Sequence, residues 1–189
     1  AAKFLINTRY DFAGGASMYA NAAYIDKKID SYANYRTPYW RPTDYGLLTP
    51  SGSQYLGYVP GFLGGLKDYN ATVGVKFDVA DWSSDVSLTF GGNEQSYTVT
   101  NSVNRGMEDA YLDAVAKKLT PLPPHGQTRF DAGGSKFNHT VFNADFSKDI
   151  AKGVSAYFGT EIRAEQYTLV AGEPASWLYS GADSYAGNT

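Results

Sequence analysis

The sequence predicts an all-β fold: a segment of an antiparallel transmembrane β-barrel, about six strands long, with long loops on one side. Three observations predict it. The short turns Ala13–Gly15, Ala80–Trp82 and Asp149–Lys152 alternate with the long excursions 28–66, 102–136 and 169–189. Antiparallel strands joined in this way have one blunt edge and one elaborate edge, as outer-membrane barrels do, with short periplasmic turns and long extracellular loops. The strand segments alternate apolar and polar residues with period two, so one face suits lipid and the other a lumen. The composition, with 16 Tyr and 10 Phe against 2 Met, suits pleated strands better than helices.

The first strand sets Phe4, Ile6, Thr8, Tyr10 and Phe12 against Lys3, Leu5, Asn7, Arg9 and Asp11. The second, 16–27, carries Met18, Ala20, Ala22 and Tyr24 on one face and Tyr19, Ala23 and Ile25 on the other, so a bulge or slip is expected there. From 69 to 79 the pattern is nearly perfect: Tyr69, Ala71, Val73, Val75, Phe77 and Val79 oppose Asn70, Thr72, Gly74, Lys76 and Asp78. From 84 to 91, Ser84, Val86, Leu88 and Phe90 oppose Asp85, Ser87, Thr89 and Gly91. Ala80, Asp81 and Trp82 join these two into a hairpin whose Trp sits at an interface. The fifth strand, 137–148, is less regular, with Phe142, Ala144 and Phe146 against Val141, Asn143 and Asp145. The sixth, 153–167, opposes Val154, Ala156, Phe158, Thr160 and Ile162 to a charge-rich face. Six tilted strands do not enclose a lumen, and lipid does not tolerate an open sheet edge. The expectation is therefore one partial barrel domain over 1–189, or six strands completed by partner chains.

Several classes are excluded. A net charge of −3 supplies no basic footprint, so nucleic acid is not an expected partner. No apolar run of about 18 residues exists, which removes a spanning helix but not spanning strands. Without cysteine there is no disulfide framework or thiolate zinc site. Ala1–Tyr10 lacks a signal-peptide pattern, so a mature form or an internal fragment is expected. No nucleophile elbow, phosphate loop or zincin motif occurs, and the expected protein is not an enzyme. No cofactor or metal is expected: His125 and His139 share no ligand spacing. Asp109 and Asp113 could share a cation, but their spacing fits a solvated helical face better. Asp131, Gly133 and Gly134 form a turn signal without a phosphate-binding context.

Two features carry the functional expectation. Loop 28–66 is rich in aromatics, among which Tyr39, Trp40, Tyr45 and Tyr55 are the candidate substrate contacts. They either pack the loop onto itself or form a stacking platform. Glu161, Arg163 and Glu165 fall on one face of the sixth strand, as a structural ladder or as a contact for a solute or plug in the lumen. Loop 102–136 holds a candidate helix, with Met107, Tyr111, Val115 and Leu119 four apart.

The stretch from Asp68 to Ser176 resembles the barrel of TonB-dependent outer-membrane receptors. The matching segments are the Tyr69–Phe77 strand, with its hairpin through Asp81 and Trp82 to Leu88-Thr89-Phe90-Gly91; Phe130-Asp131-Ala132-Gly133-Gly134; and Phe158–Tyr167, ending in Ala171-Gly172-Glu173-Pro174-Ala175-Ser176. The last is the most specific, because a comparable strand in such receptors enters an extracellular loop through this kind of segment. The resemblance implies a Gram-negative outer-membrane location and a barrel of about 22 strands around a plug. It also implies energy-coupled import of a small molecule such as a siderophore, vitamin or oligosaccharide. Implied partners are outer-membrane lipid and lipopolysaccharide, and the inner-membrane TonB complex acting through a plug that these residues do not contain. A porin-like passive channel and a soluble β-sandwich binding module are the alternatives.

Overall fold

The alternating segments form six strands in the computed structural model, which describes residues 1–178. They are β1 (Ala2–Asp11), β2 (Ser17–Tyr32), β3 (Gly61–Val79), β4 (Trp82–Thr100), β5 (Arg129–Ala151) and β6 (Val154–Val170). They pair in chain order into one antiparallel sheet that is not closed, with β1 and β6 at its edges. Two helices accompany it, α1 (Arg105–Ala116) and the single turn α2 (Pro174–Trp177).

The strands outrun their expected ends because the ladder continues wherever a neighbouring strand offers hydrogen bonds, through polar and glycine-containing sequence alike. β2 reaches Tyr32 and β3 begins at Gly61, so the first long loop is 33–60 rather than 28–66. Likewise β4 extends to Thr100 and β5 begins at Arg129, which cuts the second excursion to 101–128. The Asp131–Gly134 segment, expected as a turn, lies inside β5. Of the third excursion, 179–189 lies outside the described residues.

The first two short turns sit close to where they were expected, whereas the third, expected at Asp149–Lys152, is a two-residue turn at Lys152 and Gly153 (φ 81°) because Asp149–Ala151 continue β5. Phe12 N–H donates to Ala16 at 2.8 Å and Gly15, at φ 85°, closes back on Phe12 at 3.1 Å. Ala80 and Asp81 both have positive φ, 49° and 66°, as the tight hairpin turn that matches strand twist requires. Trp82 belongs to β4 and not to the turn. Lys148 Nζ braces this turn by donating to Ala80 O at 3.3 Å and Asp81 at 3.4 Å.

The chain divides into two compact units. The first comprises Ala1–Lys27, Leu66–Glu94 and Ser135–Thr168. Here the β1–β2 ladder runs unbroken from Ala2↔Asp26 to Asp11↔Ser17, so the expected bulge is not in this pairing. Met18, Ala20, Ala22 and Tyr24 stand opposite Tyr10, Thr8, Ile6 and Phe4. Tyr19, which blurred the pattern, serves the polar face: its hydroxyl donates to Asp85 at 2.9 Å.

The second unit comprises Lys28–Gly65, Gln95–Gly134 and Leu169–Thr189. Phe130, Met107, Val99, Val103, Ala114 and Tyr58 form an ordinary buried apolar core. Helix α1 starts where Asn104 accepts from Met107 N–H at 3.0 Å, a side-chain N-cap. Its buried stripe is Met107, Glu108 and Ala114, whereas Val115 is half-exposed and Leu119 lies past the C-terminal end. The four-residue spacing thus located the helix but not the face it buries, because Glu108 packs inward to accept from Gly126 N–H at 2.6 Å.

Asn104 also donates to Ala175 O at 2.6 Å and Leu178 O at 3.2 Å, so one fully buried amide ties α1 to the segment carrying α2. Asn104→Ala is expected to destabilise this unit by about 3 kcal/mol, since it removes a cap and orphans buried carbonyls. Hydrogen exchange should show the loss as faster exchange confined to α1 and residues 172–178.

Candidate functional site

In the first unit the few buried residues are mostly small, and large apolar side chains are displayed. Ser17, Gly74, Ser84, Gly91, Gly92, Val141 and Ala144 are buried. By contrast Phe4, Ile6, Tyr10, Met18, Val75 and Phe158 are exposed, as are Val73 at 45 %, Phe90 at 49 % and Ile162 at 66 %. These side chains share one face of the sheet. A shallow groove of about 370 Å³ runs across it, lined by Ile6, Thr8, Ala20, Ala22, Ala71, Val73, Leu88 and Phe90. At the short-turn end of this face Trp82 meets Phe158 edge-on at 5.2 Å, and Phe158 stacks on Phe146 at 4.9 Å. Tyr10 and Phe12 make a similar edge contact at 4.9 Å. Toward the other end Tyr69 donates to Asn138 at 2.5 Å, and Lys136 pairs with Glu94 at 3.3 Å, so polar chemistry replaces apolar there.

The opposite face is polar and internally paired. Asp85 accepts from Tyr19 and pairs with Lys76 at 3.5 Å, while Lys76 also sits 5.5 Å above the Tyr19 ring. Thr72 and Thr89 share a hydrogen bond of 2.8 Å, and Tyr157 donates to Asp145 at 2.5 Å. Gly74 gives the Tyr19 ring its space, because a Cβ there would lie 2.3 Å from it; Gly91 does the same for His139. On β6, Arg163 lies between the two predicted acids, donating to Glu161 at 3.0 Å and Glu165 at 3.2 Å. All three are half-exposed, so the ladder adds well under about 1 kcal/mol to stability.

The second unit separates the four candidate loop aromatics. Tyr45 donates to Asp109 of α1 at 2.7 Å, which ties the loop to the helix, and Tyr55 donates to Arg41 O at 2.7 Å, which ties the loop to itself. Burial and the hydrogen bond it donates to Asp109 push the Tyr45 hydroxyl up to about 12, against the lowering effect of Arg105. Burial also raises Tyr58, against the nearby charges of Arg41, Arg36 and Arg105. Tyr39 is 101 % exposed and Trp40 43 %, both on a turn held by Trp40 N–H and Arg41 N–H on Thr37 O at 3.0 and 2.7 Å. The guanidinium groups of Arg36 and Arg41 lie 4.7 and 5.0 Å from the Trp40 ring.

Asp44 is buried and holds the loop from within. Burial opposes its charge, yet hydrogen bonds from Thr49, Gly46 and Leu48 outweigh it and lower the carboxyl below its usual range. Its acceptors receive backbone N–H groups at 2.6, 3.0 and 3.2 Å. Sequence reasoning passed over Asp44, Arg36 and Arg41; the Arg-Thr-Pro-Tyr-Trp-Arg run around Trp40 was the available signal. Asp109 and Asp113 do not converge, since Asp109 takes Tyr45 and Asp113 takes Lys117 at 2.7 Å. His125 stacks on Tyr111 at 3.6 Å.

Two of the segments that carry the sequence resemblance meet in this unit. Gly133, at φ 81°, lies where a Cβ would strike Val170 O at 2.2 Å and Gly172 N at 2.6 Å. Glu173 accepts from Asp131 N–H and Gln127, both at 2.7 Å. The Gly-Glu-Pro segment is therefore a clamp on the first residues of β5. The chain matches no protein-family model, no curated protein and no solved structure.

Because the folded pKa of Tyr45 lies above the unfolded value of about 10, its contribution is complete below pH 10 and is lost as pH rises through about 12. Proteolysis within 33–60 should therefore accelerate across that window. Tyr45→Phe should already show the faster cleavage at neutral pH and lose that part of the alkaline step.

Proposed function

We propose that this chain is part of the wall of an outer-membrane β-barrel that imports a small nutrient with energy from the inner membrane, in the manner of TonB-dependent receptors. The observation that carries the membrane part is the uncovered apolar face of the first unit, on which large side chains such as Phe4, Ile6, Val73, Phe90, Phe158 and Ile162 are exposed. A water-soluble sheet of this size covers an apolar face with another layer; lipid covers it without one.

The dimensions agree with that reading. From Trp82 to Gly92 the strand rises roughly 33 Å, which at a tilt near 40° spans about 25 Å, the height of an outer-membrane apolar band. Strands of 16 to 23 residues in β2–β6 exceed both the usual soluble length and the 9–11 residues a membrane needs, so the surplus projects beyond the bilayer. In this reading Trp82 and Lys152 lie at the periplasmic rim, and loops 33–60 and 101–128 lie outside the cell, beside lipopolysaccharide. The open edges at β1 and β6 pair with further strands, a plug fills the lumen against the Glu161–Arg163–Glu165 face, and the inner-membrane complex acts on that plug. The transport part rests on the resemblance of Asp68–Ser176.

Two experiments test this. Val73→Arg, on a half-exposed position, should change the stability of a soluble sheet by no more than about 0.5 kcal/mol, but should cost about 2–4 kcal/mol at the middle of a bilayer. Unfolding in detergent-lipid vesicles measures it, and a neutral result sinks the membrane reading. Fractionation of cells producing the full-length protein should place it in the outer membrane, with uptake that stops when the proton-motive force is collapsed. Uptake that survives the collapse would make the barrel a passive channel.

A further inference from the structure

We propose that the tip of loop 33–60 binds small molecules carrying an oxyanion, a carboxylate or phosphate, on a flat apolar group. Arg36 supplies the donors and Tyr39 the apolar contact. The inference rests on the proposal that this loop meets the transported molecule, and it adds the ligand's charge and shape.

The geometry of Arg36 carries it. Its guanidinium lies 4.7 Å over Trp40, and stacking of this kind engages the face of the cation while leaving its in-plane N–H groups for an acceptor. The stack thus orients a fork that matches an oxyanion bidentately. The backbone beneath is equally fixed, with Arg36 N–H on Tyr58 O at 2.7 Å and Tyr58 N–H on Arg36 O at 3.1 Å. Gly57 permits this closure, since a Cβ there would stand 2.2 Å from Arg36 O. The second guanidinium on Trp40, that of Arg41, is buried at 5.0 Å from the ring.

The charge balance agrees. Residues 33–60 contain Arg36 and Arg41 but only Asp44 as an acid, and Asp44 faces inward onto three backbone N–H groups. The loop is therefore positive in a chain of net charge −3. Tyr39, three residues on from Arg36, is fully exposed on a backbone turn ordered by Thr37, and a tyrosine has only two side-chain torsions to fix on contact with a ligand. Tyr45 and Tyr55, whose hydroxyls are engaged within the unit, hold the loop in shape.

Calorimetric titration of the full-length protein in detergent with benzoate, phenyl phosphate and benzamide tests the proposal. Benzoate or phenyl phosphate should bind at least about tenfold tighter than neutral benzamide, as one charge-assisted hydrogen bond provides. The comparison of benzoate with phenyl phosphate identifies the preferred oxyanion. Arg36→Gln should erase the advantage, and Arg36→Lys should restore only part of it because it lacks the fork. Tyr39→Ala removes a side chain without packing partners and should weaken all three probes alike. Equal binding of benzamide, a preference surviving in Arg36→Gln, or no binding of any probe overturns the inference. The membrane reading is judged separately by fractionation: no binding in a protein that sits in the outer membrane sinks this site alone.

Discussion

The pleat of the first unit imposes one constraint from which most of its structure follows: every second residue must be satisfied by a neighbouring strand, and the residues between them are satisfied by none. Tyr19, Lys76, Asp85, Thr72, Thr89, Asp145 and Tyr157 meet the first condition by pairing across strands. Glycines at 74 and 91 keep that face open enough for the Tyr19 and His139 rings to lie across the backbone. The residues between, from Phe4 to Ile162, are left without a covering layer. The sheet thus presents one apolar face and one polar, internally paired face. The aromatic contacts of Tyr10, Phe12, Trp82, Phe146 and Phe158 then gather where the apolar stretch ends.

The second unit solves a different problem, that of holding long excursions still. Its apolar core around Phe130 and Met107 is small, and buried polar side chains do much of the fastening. Asp44 gathers the N–H groups of its own loop, Asn104 joins α1 to residues 175–178, and Glu173 clamps the start of β5. Each is multiply bonded, and Asp44 and Asn104 are buried as well, so they specify one geometry rather than adding bulk stability. The consequence is a surface on which Arg36 is stacked on Trp40 and Tyr39 projects from an ordered backbone turn. Such presentation favours recognition because the ordering entropy is already spent in folding.

The candidate residues fared differently because their chemistry differs. Glu161, Arg163 and Glu165 were found together because a strand's period of two is geometric and needs no partner. The loop aromatics were found as a group, but a tyrosine that bonds the loop to a helix, such as Tyr45, and one that projects into solvent, such as Tyr39, look alike in sequence. Which is which depends on Asp109, far along the chain. The pairing of Arg36 and Arg41 with Trp40 was visible as local spacing, yet only the Thr37 turn makes the three side chains converge.

The amino-acid order alone determined the all-β class, the hairpin rhythm, the position of α1 and the identity of the two faces of the sheet. Those are consequences of local periodicity and turn chemistry. The tertiary structure decided where strands stop, because β2, β4 and β5 continue through polar residues as long as a neighbouring strand offers hydrogen bonds. It also turned Asp131–Gly134 from an apparent turn into strand, since Gly133 there makes room for the backbone of Val170–Gly172. Ladder hydrogen bonds and buried carboxylates depend on groups many residues away, and no local pattern encodes which of them will meet.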